Sequence, residues 1–302
     1  MSVLVDENTK VVIQGITGKH GSHHTKLMLE YNAKVLAGVT PGKGGSEVYG
    51  VPVYDTVKEA LEQHPDINAS LIMVPPPGVL SAAEEAIENG IPLVVIVTEH
   101  VPVHDTLKIK WLAKEYGTIV IGPNTIGIIS PGKSKVGIMP GYIYSQGNIG
   151  VISRSGTMTH EISSNLTYNG IGQSTCIGIG GDPVNGLTAV EALELFKDDD
   201  ETKAIVLIGE IGGSNEELVA EYIEKTNYPK QVYAFIGGQL APQGKRMGHA
   251  GAIVQKGKGT AASKMERLKK AGVKVAKTMD ELVNMIKTDG YGNVETIQKH
   301  IS

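Results

Sequence analysis

The sequence predicts an α/β protein with two domains, each built around an open parallel β-sheet. Short Val/Ile-rich runs alternate with segments of helical length, a pattern typical of β-α-β units whose strands are buried on both faces. The 38 glycines stand mostly at the ends of these runs, where a strand passes into a loop that can hold a ligand. A chain of 302 residues is long enough for two domains that each bury a core.

The first half of the chain predicts one such sheet. Its strands are expected at residues 11–14, 35–39, 69–74, 93–97 and 119–121, with helices at 80–89 and 107–116. We therefore expect a first domain over residues 1–130. Residues 131–148 are rich in Gly, Pro and Lys and have little periodicity, which predicts a connector that could include a hairpin.

The same pattern restarts after the connector and predicts a second domain over residues 149–302. Its strands are expected at residues 150–153, 174–177, 204–208, 232–236 and 273–276. Helices are expected at 159–169, 189–197, 216–226 and 259–271. The second domain is therefore another open parallel α/β sheet.

Composition and charge argue against several classes of partner. The formal net charge is -4 and aromatic residues make up 5% of the chain, so we expect no nucleic-acid partner. Cys176 is the only cysteine, which rules out an internal disulfide and a cysteine zinc site and suits a reducing compartment. No targeting segment and no bilayer-length apolar run are evident, so we expect a cytoplasmic protein with no membrane partner.

A glycine-rich loop follows the first predicted strand. It contains Thr17, Gly18, Lys19 and His20, and a helix is expected from about Ser22. Glycines let a backbone approach a phosphate closely, and the N-terminus of the helix behind them offers unpaired N–H groups. The loop is therefore a candidate phosphate site, although such a loop alone is a weak signal.

The end of the second predicted strand indicates which ligand this loop would hold. A fold that binds NAD places Asp or Glu there for the ribose hydroxyls, whereas this chain has Lys43. A cation favours a ligand with an additional phosphate. Coenzyme A, with its 3′-phosphate, fits, and NADP is the alternative ligand. A lysine that is merely solvated in a loop is the alternative role for Lys43.

Two further segments complete the candidate ligand sites of the first domain. Thr98 and Glu99 follow the fourth strand and are expected at the same edge of the sheet. His20, His23 and His24 form a cluster without Asp, Glu or Cys at ligand spacing. We therefore expect a polar helix start there and no metal.

The second domain carries a candidate nucleophile. Ser155 and Gly156 stand between a strand and a helix, either as an anion site or as an ordinary N-cap. Glu210 follows another strand, and His249 lies in a glycine-rich loop after a third. A carboxylate on one imidazole nitrogen leaves the other free to attack a phosphoryl group. Without such partners, a lone histidine would more often be structural.

Five motifs resemble the α subunit family of succinyl-CoA synthetases: TPGKGG at 40–45, SRSGT at 153–157, GIGGDP at 178–183, GEIGG at 209–213 and GKRMGHAGA at 244–252. The resemblance covers almost the whole chain. It implies a Rossmann-like CoA-binding domain followed by a flavodoxin-like doubly wound domain. It also implies that His249 is a phosphohistidine, that Glu210 is its partner, and that Ser155 and Gly156 begin the helix that binds it. Residues that match the CoA site are Thr17, Gly18, Lys19, His20, Lys43, Val97, Thr98 and Glu99.

The reaction implied by the resemblance is a reversible, nucleoside-diphosphate-forming ligation of an acid to CoA. ATP or GTP phosphorylates His249, an acyl phosphate forms, and the CoA thiol attacks it. The string G-x-x-x-x-G-K-S/T occurs only at residues 127–134, where the chain passes into the predicted connector and not from a strand into a helix. We therefore expect no site for the triphosphate and its magnesium in this chain. The resemblance places both on an ATP-grasp β subunit, in an αβ heterodimer or an α2β2 assembly. In the loop of His249, Lys245 and Arg246 could guide the anionic phosphoryl group.

Four residues near the reacting acid, by the resemblance, are Asn124, Thr125, Ile126 and His160. The family usually has Gly-Pro-Asn-Cys-Pro-Gly and Thr-Tyr-Glu here, so Thr125, Ile126 and His160 depart from it. Either this is neutral drift, or the acid is not succinate but another short acid with a second anionic or polar group, such as malate or a sulfonated carboxylate. A histidine in place of tyrosine introduces a donor that could become cationic near neutral pH.

Two other functions compete with the ligase. An NADP-dependent oxidoreductase would need a hydride-facing catalytic residue, and none can be placed in the glycine-rich second domain. A non-catalytic CoA-binding protein would not need both Glu210 and His249.

Overall fold

The computed structural model describes residues 2–241, 248–249, 252–254 and 259–291. Lys245 and Arg246, which we expected to guide an anion, lie outside these residues. The described chain forms two sheets, each of seven strands. Alternate residues of the first strand are fully buried and enter separate apolar cores, Val11 and Ile13 on one face and Val12 on the other. Helices therefore cover both faces of this sheet.

The first sheet has the order β3-β4-β2-β1-β5-β6-β7. Only the β3–β4 pair is antiparallel. The parallel strands, counted along the chain, follow the order 3-2-1-4-5-6 of a Rossmann fold. The elements are β1 Lys10–Gln14, α1 Lys19–Glu30, β2 Lys34–Val39, β3 Glu47–Val48, β4 Val51–Tyr54, α2 Val57–Gln63, β5 Ala69–Ile72, α3 Val79–Glu88, β6 Leu93–Ile96, α4 Val103–Tyr116 and β7 Ile119–Ile121.

The second sheet has the order β14-β13-β12-β10-β11-β8-β9. Its five parallel strands follow the flavodoxin order 2-1-3-4-5, so the predicted fold class is confirmed. The elements are β8 Gly127–Ser130, β9 Ser134–Gly137, β10 Gln146–Ser153, α5 Gly156–Tyr168, β11 Gln173–Gly178, α6 Ala189–Lys197, β12 Ala204–Glu210, α7 Asn215–Thr226, β13 Gln231–Gly237, α8 Ala261–Lys270, β14 Lys274–Ala276 and α9 Met279–Thr288.

The β8–β9 hairpin belongs to the second sheet, which differs from the predicted domain limits. Residues 127–130 were assigned to the first domain, but β8 pairs with β11 of the second sheet, and β9 lies in the predicted connector. A two-stranded hairpin is marginal by itself. By extending the second sheet it buries Ile128 and Ile129 completely, which explains where it pairs.

Several local predictions also differ from the structure. Helix α1 begins at Lys19 rather than near Ser22. This early start brings Gly21 against the preceding loop, which only a residue without a side chain permits. A Cβ there would lie 2.1 Å from the carbonyl oxygen of Gly15. Four further elements were not predicted from the sequence: β3, β4, α2 and α9. The two strands are short, and β4 contains Pro52, which masks the strand signal.

The loops that follow the parallel strands of the two sheets meet each other. Asn124, after β7, donates from Nδ2 to Oδ1 of Asp182, after β11, at 2.9 Å. The N–H of Gly181 donates to the Asn124 carbonyl at 3.1 Å. The ligand-binding edges of both sheets are therefore joined. Within the described ranges, no helix is long and apolar enough to cross a membrane.

Candidate active site

Glu210 and His249 form a hydrogen-bonded pair at the end of β12. Glu210 Oε2 lies 2.8 Å from His249 Nδ1. The Glu210 side chain is 7% exposed and the imidazole is 25% exposed. The order of the sheet reverses between β10 and β12, and such a switch point opens a crevice for ligands. The structure brings the two residues together as we expected, while their catalytic roles remain a prediction.

The carboxylate sets the electrostatics of the imidazole. The hydrogen bond that His249 Nδ1–H donates to Glu210 raises the pKa of His249 above its usual value, whereas burial and the nearby Arg154 oppose this shift. With Nδ1–H held by Glu210, Nε2 is the nitrogen with a free lone pair. The pair can therefore present a nucleophilic nitrogen in a defined tautomer.

Arg154 is a site residue that the sequence analysis passed over. Its Nη1 lies 3.5 Å from Glu210 Oε1, and both side chains are buried. Its Nη2 donates to the Asp182 carbonyl at 3.3 Å. Among the described residues, Arg154 Nε and Glu210 Oε1 have no hydrogen-bond partner. A charged residue directly after the buried strand β10 was the signal that could have identified it.

Gly181 provides the space for the imidazole ring. A Cβ at this position would lie 2.6 Å from Cδ2 and 2.7 Å from Nε2 of His249. Those separations are below any normal carbon contact, so a larger residue would displace the ring. The GIGGDP motif therefore leaves room for the His249 ring, a role that its sequence alone did not reveal.

The N-terminus of α5 follows β10 on the same edge of the sheet. Ser155 is the N-cap, and its hydroxyl accepts from the Met158 N–H at 3.4 Å. The ordinary capping role is thus present. The first N–H groups of a helix, here starting at Gly156, have no intrahelical acceptor and carry the positive end of the helix dipole. The same helix start can therefore also bind an anion.

The candidate CoA residues lie at the carboxyl edge of the first sheet. The hydroxyls of Thr17, after β1, and Thr40, after β2, are 3.2 Å apart. The Thr98 hydroxyl, after β6, donates to the Val74 carbonyl at 2.7 Å. Lys43 is exposed, and no described residue forms an ion pair with it. The residues brought to this edge are Thr17, Gly18, Lys19, His20, Lys43, Val97, Thr98 and Glu99.

The candidate acid-site residues differ in what they can contact. The Thr125 hydroxyl donates to the Gly178 carbonyl and accepts from the Gly127 N–H at 2.9 Å. Its side chain therefore fixes the loop and has no free proton for an acid. Ile126 packs beside α5, where a Cβ on Gly156 would lie 2.6 Å from its Cγ2. Asn124 is held by Asp182.

His160 lies one helical turn beyond Gly156 in α5. Burial lowers the pKa of its imidazole, which favours the neutral ring and opposes the cationic form that we expected near neutral pH. Its Nε2 is buried and has no partner among the described residues.

The histidine cluster of α1 is the remaining site considered in the sequence analysis. The rings of His23 and His24 lie edge to face with centroids 5.1 Å apart. Burial and neighbouring cationic groups lower the pKa of His24 to about 4. Across the residues that the structure covers, no three His, Cys, Asp or Glu side chains are grouped so that they could hold a metal ion.

Comparison with known proteins assigns both domains. Residues 6–100 match the family model of the CoA binding domain, and residues 152–274 match that of the CoA-ligase domain. A succinate–CoA ligase [ADP-forming] subunit alpha 2 of Archaeoglobus fulgidus is 55% identical over 95% of this chain and 99% of its own. The corresponding alpha subunit of Aquifex aeolicus is 53% identical over 96% of this chain and 97% of its own.

Solved structures share the fold. An ATP citrate lyase of Methanosaeta concilii, in complex with (3S)-citryl-CoA, aligns with a TM-score of 0.86 and 24% identity. The ATP citrate lyase of Methanothrix soehngenii aligns with a TM-score of 0.85 and 23% identity. This chain covers 50% and 53% of those chains, and at these identities the likeness concerns the fold alone.

The two domain matches confirm the predicted CoA-binding ligase class. Because these relatives are more than half identical over nearly the full length of both chains, the chain belongs to the family of succinate–CoA ligase α subunits.

Proposed function

We propose that this chain is the α subunit of an ADP-forming acid–CoA ligase in which His249 carries the phosphoryl group. The observation that carries the proposal is the 2.8 Å contact between Glu210 Oε2 and His249 Nδ1, at a switch point next to the start of α5. A buried carboxylate, an imidazole with one free nitrogen and a helix N-terminus are the parts that reversible phosphoryl transfer through histidine requires.

In the proposed first step, His249 Nε2 attacks the terminal phosphorus of the nucleotide, and the phosphorus–oxygen bond to the nucleoside diphosphate breaks. The Nδ1 proton stays on the ring. Glu210 accepts a hydrogen bond from that proton and balances the positive charge of the phosphorylated ring. The N–H groups that begin α5, from Gly156 onward and behind the Ser155 cap, stabilise the phosphoryl oxygens.

In the second step, a carboxylate oxygen of the acid attacks the phosphorus, the nitrogen–phosphorus bond breaks, and neutral His249 is restored. The CoA thiol then attacks the acyl carbon, the bond from that carbon to the phosphate oxygen breaks, and the thiol proton leaves with inorganic phosphate. Lys43 and the start of α1 hold phosphates of CoA at the edge of the first sheet, where the exposed Lys43 has no described ion-pair partner. The contacts of Asn124 with Asp182 and Gly181 join that edge to the histidine site.

The partner is an ATP-grasp β subunit that supplies the nucleotide with its magnesium, in an αβ or α2β2 assembly. We place the reaction in the reducing cytoplasm, which suits the single, fully buried Cys176.

Succinate is the acid that the names of the relatives support. A second candidate is a short acid with an additional polar group such as a hydroxyl, because His160, whose lowered pKa favours the neutral ring, has a buried Nε2 without a described partner. Specificity is tested by kcat/KM across a panel of acids, since differential transition-state binding determines it. The highest kcat/KM for succinate, with the ranking unchanged in His160→Tyr, would eliminate the second candidate.

Phosphorylation is tested by incubating the complex with its β subunit and γ-labelled nucleotide. We expect an acid-labile, base-stable label that is absent in His249→Asn. The control is His64→Asn, which should retain the label, because His64 lies in the first domain and hydrogen-bonds to Tyr54. An undiminished label in His249→Asn would refute the proposed role.

A further inference from the structure

A buried ionic cluster lies behind Glu210, and the proposed mechanism does not use it. Lys264 of α8 is 0% exposed and Glu216 of α7 is 2% exposed. The Lys264 ammonium donates to Glu216 Oε2, and to Glu217 Oε2 at 3.0 Å. Removing such charges from water costs several kcal/mol per ion, and a buried pair is often no more stabilising than apolar residues of the same volume. Stability alone therefore does not explain this cluster.

The second oxygen of Glu216 reaches the catalytic strand. Glu216 Oε1 accepts a hydrogen bond from the main-chain N–H of Glu210 at 3.2 Å. The preceding residue is Gly209, where a Cβ would lie 2.6 Å from that same oxygen and 2.8 Å from Glu216 Cγ. A glycine is thus needed for the contact. One carboxylate thereby connects Lys264 to the main chain that bears Glu210.

The cluster also connects the segments that follow the two members of the catalytic pair. Along the chain, α7 follows the Glu210 loop, and α8 is the first helix after His249 among the described residues. The Gly212 N–H donates to the Gly259 carbonyl at 2.8 Å, just before α8 begins. Lys264, in the first turns of α8, then binds α7. The Glu210 loop and the start of α8 are therefore joined.

We propose that Glu216, held in place by Lys264, is a positioning residue that fixes the main chain at Glu210 and so keeps its carboxylate aimed at His249 Nδ1. The inference rests on the proposed function of His249. A displacement of the strand end would lengthen the 2.8 Å contact, and misplacements of about 1 Å at such sites cost on the order of 100-fold in rate.

Two double variants test this. Lys264→Met alone would leave Glu216 buried without a counter-charge, which is strongly destabilising, so both charges are removed together. Glu216→Gln/Lys264→Met keeps an amide oxygen for the Glu210 N–H. Glu216→Leu/Lys264→Met has no acceptor. Arg267→Met/Glu224→Gln is the control, because it removes a partly exposed ion pair between the same two helices.

The measurements are the rate of His249 labelling in the complex as a function of pH, and KM for CoA. We expect the Gln variant and the control to stay within about threefold of the parent. The Leu variant should label at least about tenfold more slowly. The acidic limb of its pH–rate profile for labelling should move to lower pH, because a weaker Glu210 contact lowers the pKa of His249. KM for CoA should not change. A simple loss of folded protein would reduce the labelled fraction without moving the limb.

The proposal is overturned if the Leu variant labels at the parent rate, or if the Leu and Gln variants slow equally with an unmoved limb. If the Leu variant does not fold, Gly209→Ala takes its place, since its Cβ would force Glu216 away from the Glu210 N–H. A parent rate and an unmoved limb in Gly209→Ala would then overturn the proposal. Absence of any His249 label in the parent complex would reject the proposed function itself, which separates that failure from a failure of the positioning role alone.

Discussion

Glu210→Gln tests the central contact because it keeps the shape of the side chain and removes its charge. Hydrogen bonds to charged groups contribute about 1.5–3 kcal/mol and neutral ones about 0.5–1.5 kcal/mol, so the loss is about 1–2 kcal/mol. The 7% exposure of Glu210 leaves little screening by water, whereas Arg154 at 3.5 Å already offsets part of its charge. At about 1.4 kcal/mol per pKa unit, the pKa of His249 should fall by roughly one unit.

The sign of this change follows from the protonated ring. Glu210 stabilises the imidazolium and raises the pKa of His249, so the variant should lose its proton at lower pH than the parent. A pH titration of the His249 ring signals by NMR measures this directly, and the acidic limb of the labelling rate should shift in the same direction. Because Arg154 lowers the pKa of His249, Arg154→Met should shift it upward. An unchanged or higher pKa in Glu210→Gln would refute the reasoning.

Three further predictions address other parts of the molecule. Lys43→Glu should weaken CoA binding about 10-fold or more, which is the equivalent of a lost charge-assisted contact. Labelling of His249 should not change. Calorimetry that shows equal binding of CoA and 3′-dephospho-CoA by the parent would contradict the phosphate contact. Gly181→Ala should slow labelling at least about tenfold with unchanged urea unfolding, because its Cβ would lie 2.6 Å from the His249 ring; a parent rate would show that the ring does not need this space. His24 has a pKa lowered to about 4, so the neutral ring of the folded state stabilises the protein above the ordinary histidine pKa, and this stability is lost as pH falls from about 6.5 towards 4. Allowing for its partial exposure, urea unfolding should show a loss of about 1–2 kcal/mol in the parent that shrinks in His24→Gln, and equal losses in both proteins would disprove the assignment.

The sequence alone determined the fold class and the chemical type of the site. Strands buried on both faces must be continuous apolar runs, and a parallel sheet must place their carboxyl ends at one edge. Glu210 and His249 could therefore be expected to meet, although 39 positions separate them. The candidate CoA residues could be assigned to one edge of the first sheet for the same reason.

Only the tertiary structure decided which side chains surround that pair and in what state. Arg154 reaches the site from the loop after β10, and Gly181 and Asp182 reach it from the loop after β11. Lys264 reaches Glu210 through Glu216. Such contacts depend on the distances between loops, which local periodicity does not encode.

The pairing of the β8–β9 hairpin and the pKa of His160 also depend on contacts that the local sequence does not encode. The hairpin pairs with the second sheet because that sheet offers an open edge and burial for its isoleucines, and neither is visible in the local sequence. The pKa of His160 is lowered because the surrounding fold removes the ring from water. Residue type and strand order are properties of the chain, whereas burial and charge state are properties of its packing, and the packing exists only once distant segments have come together.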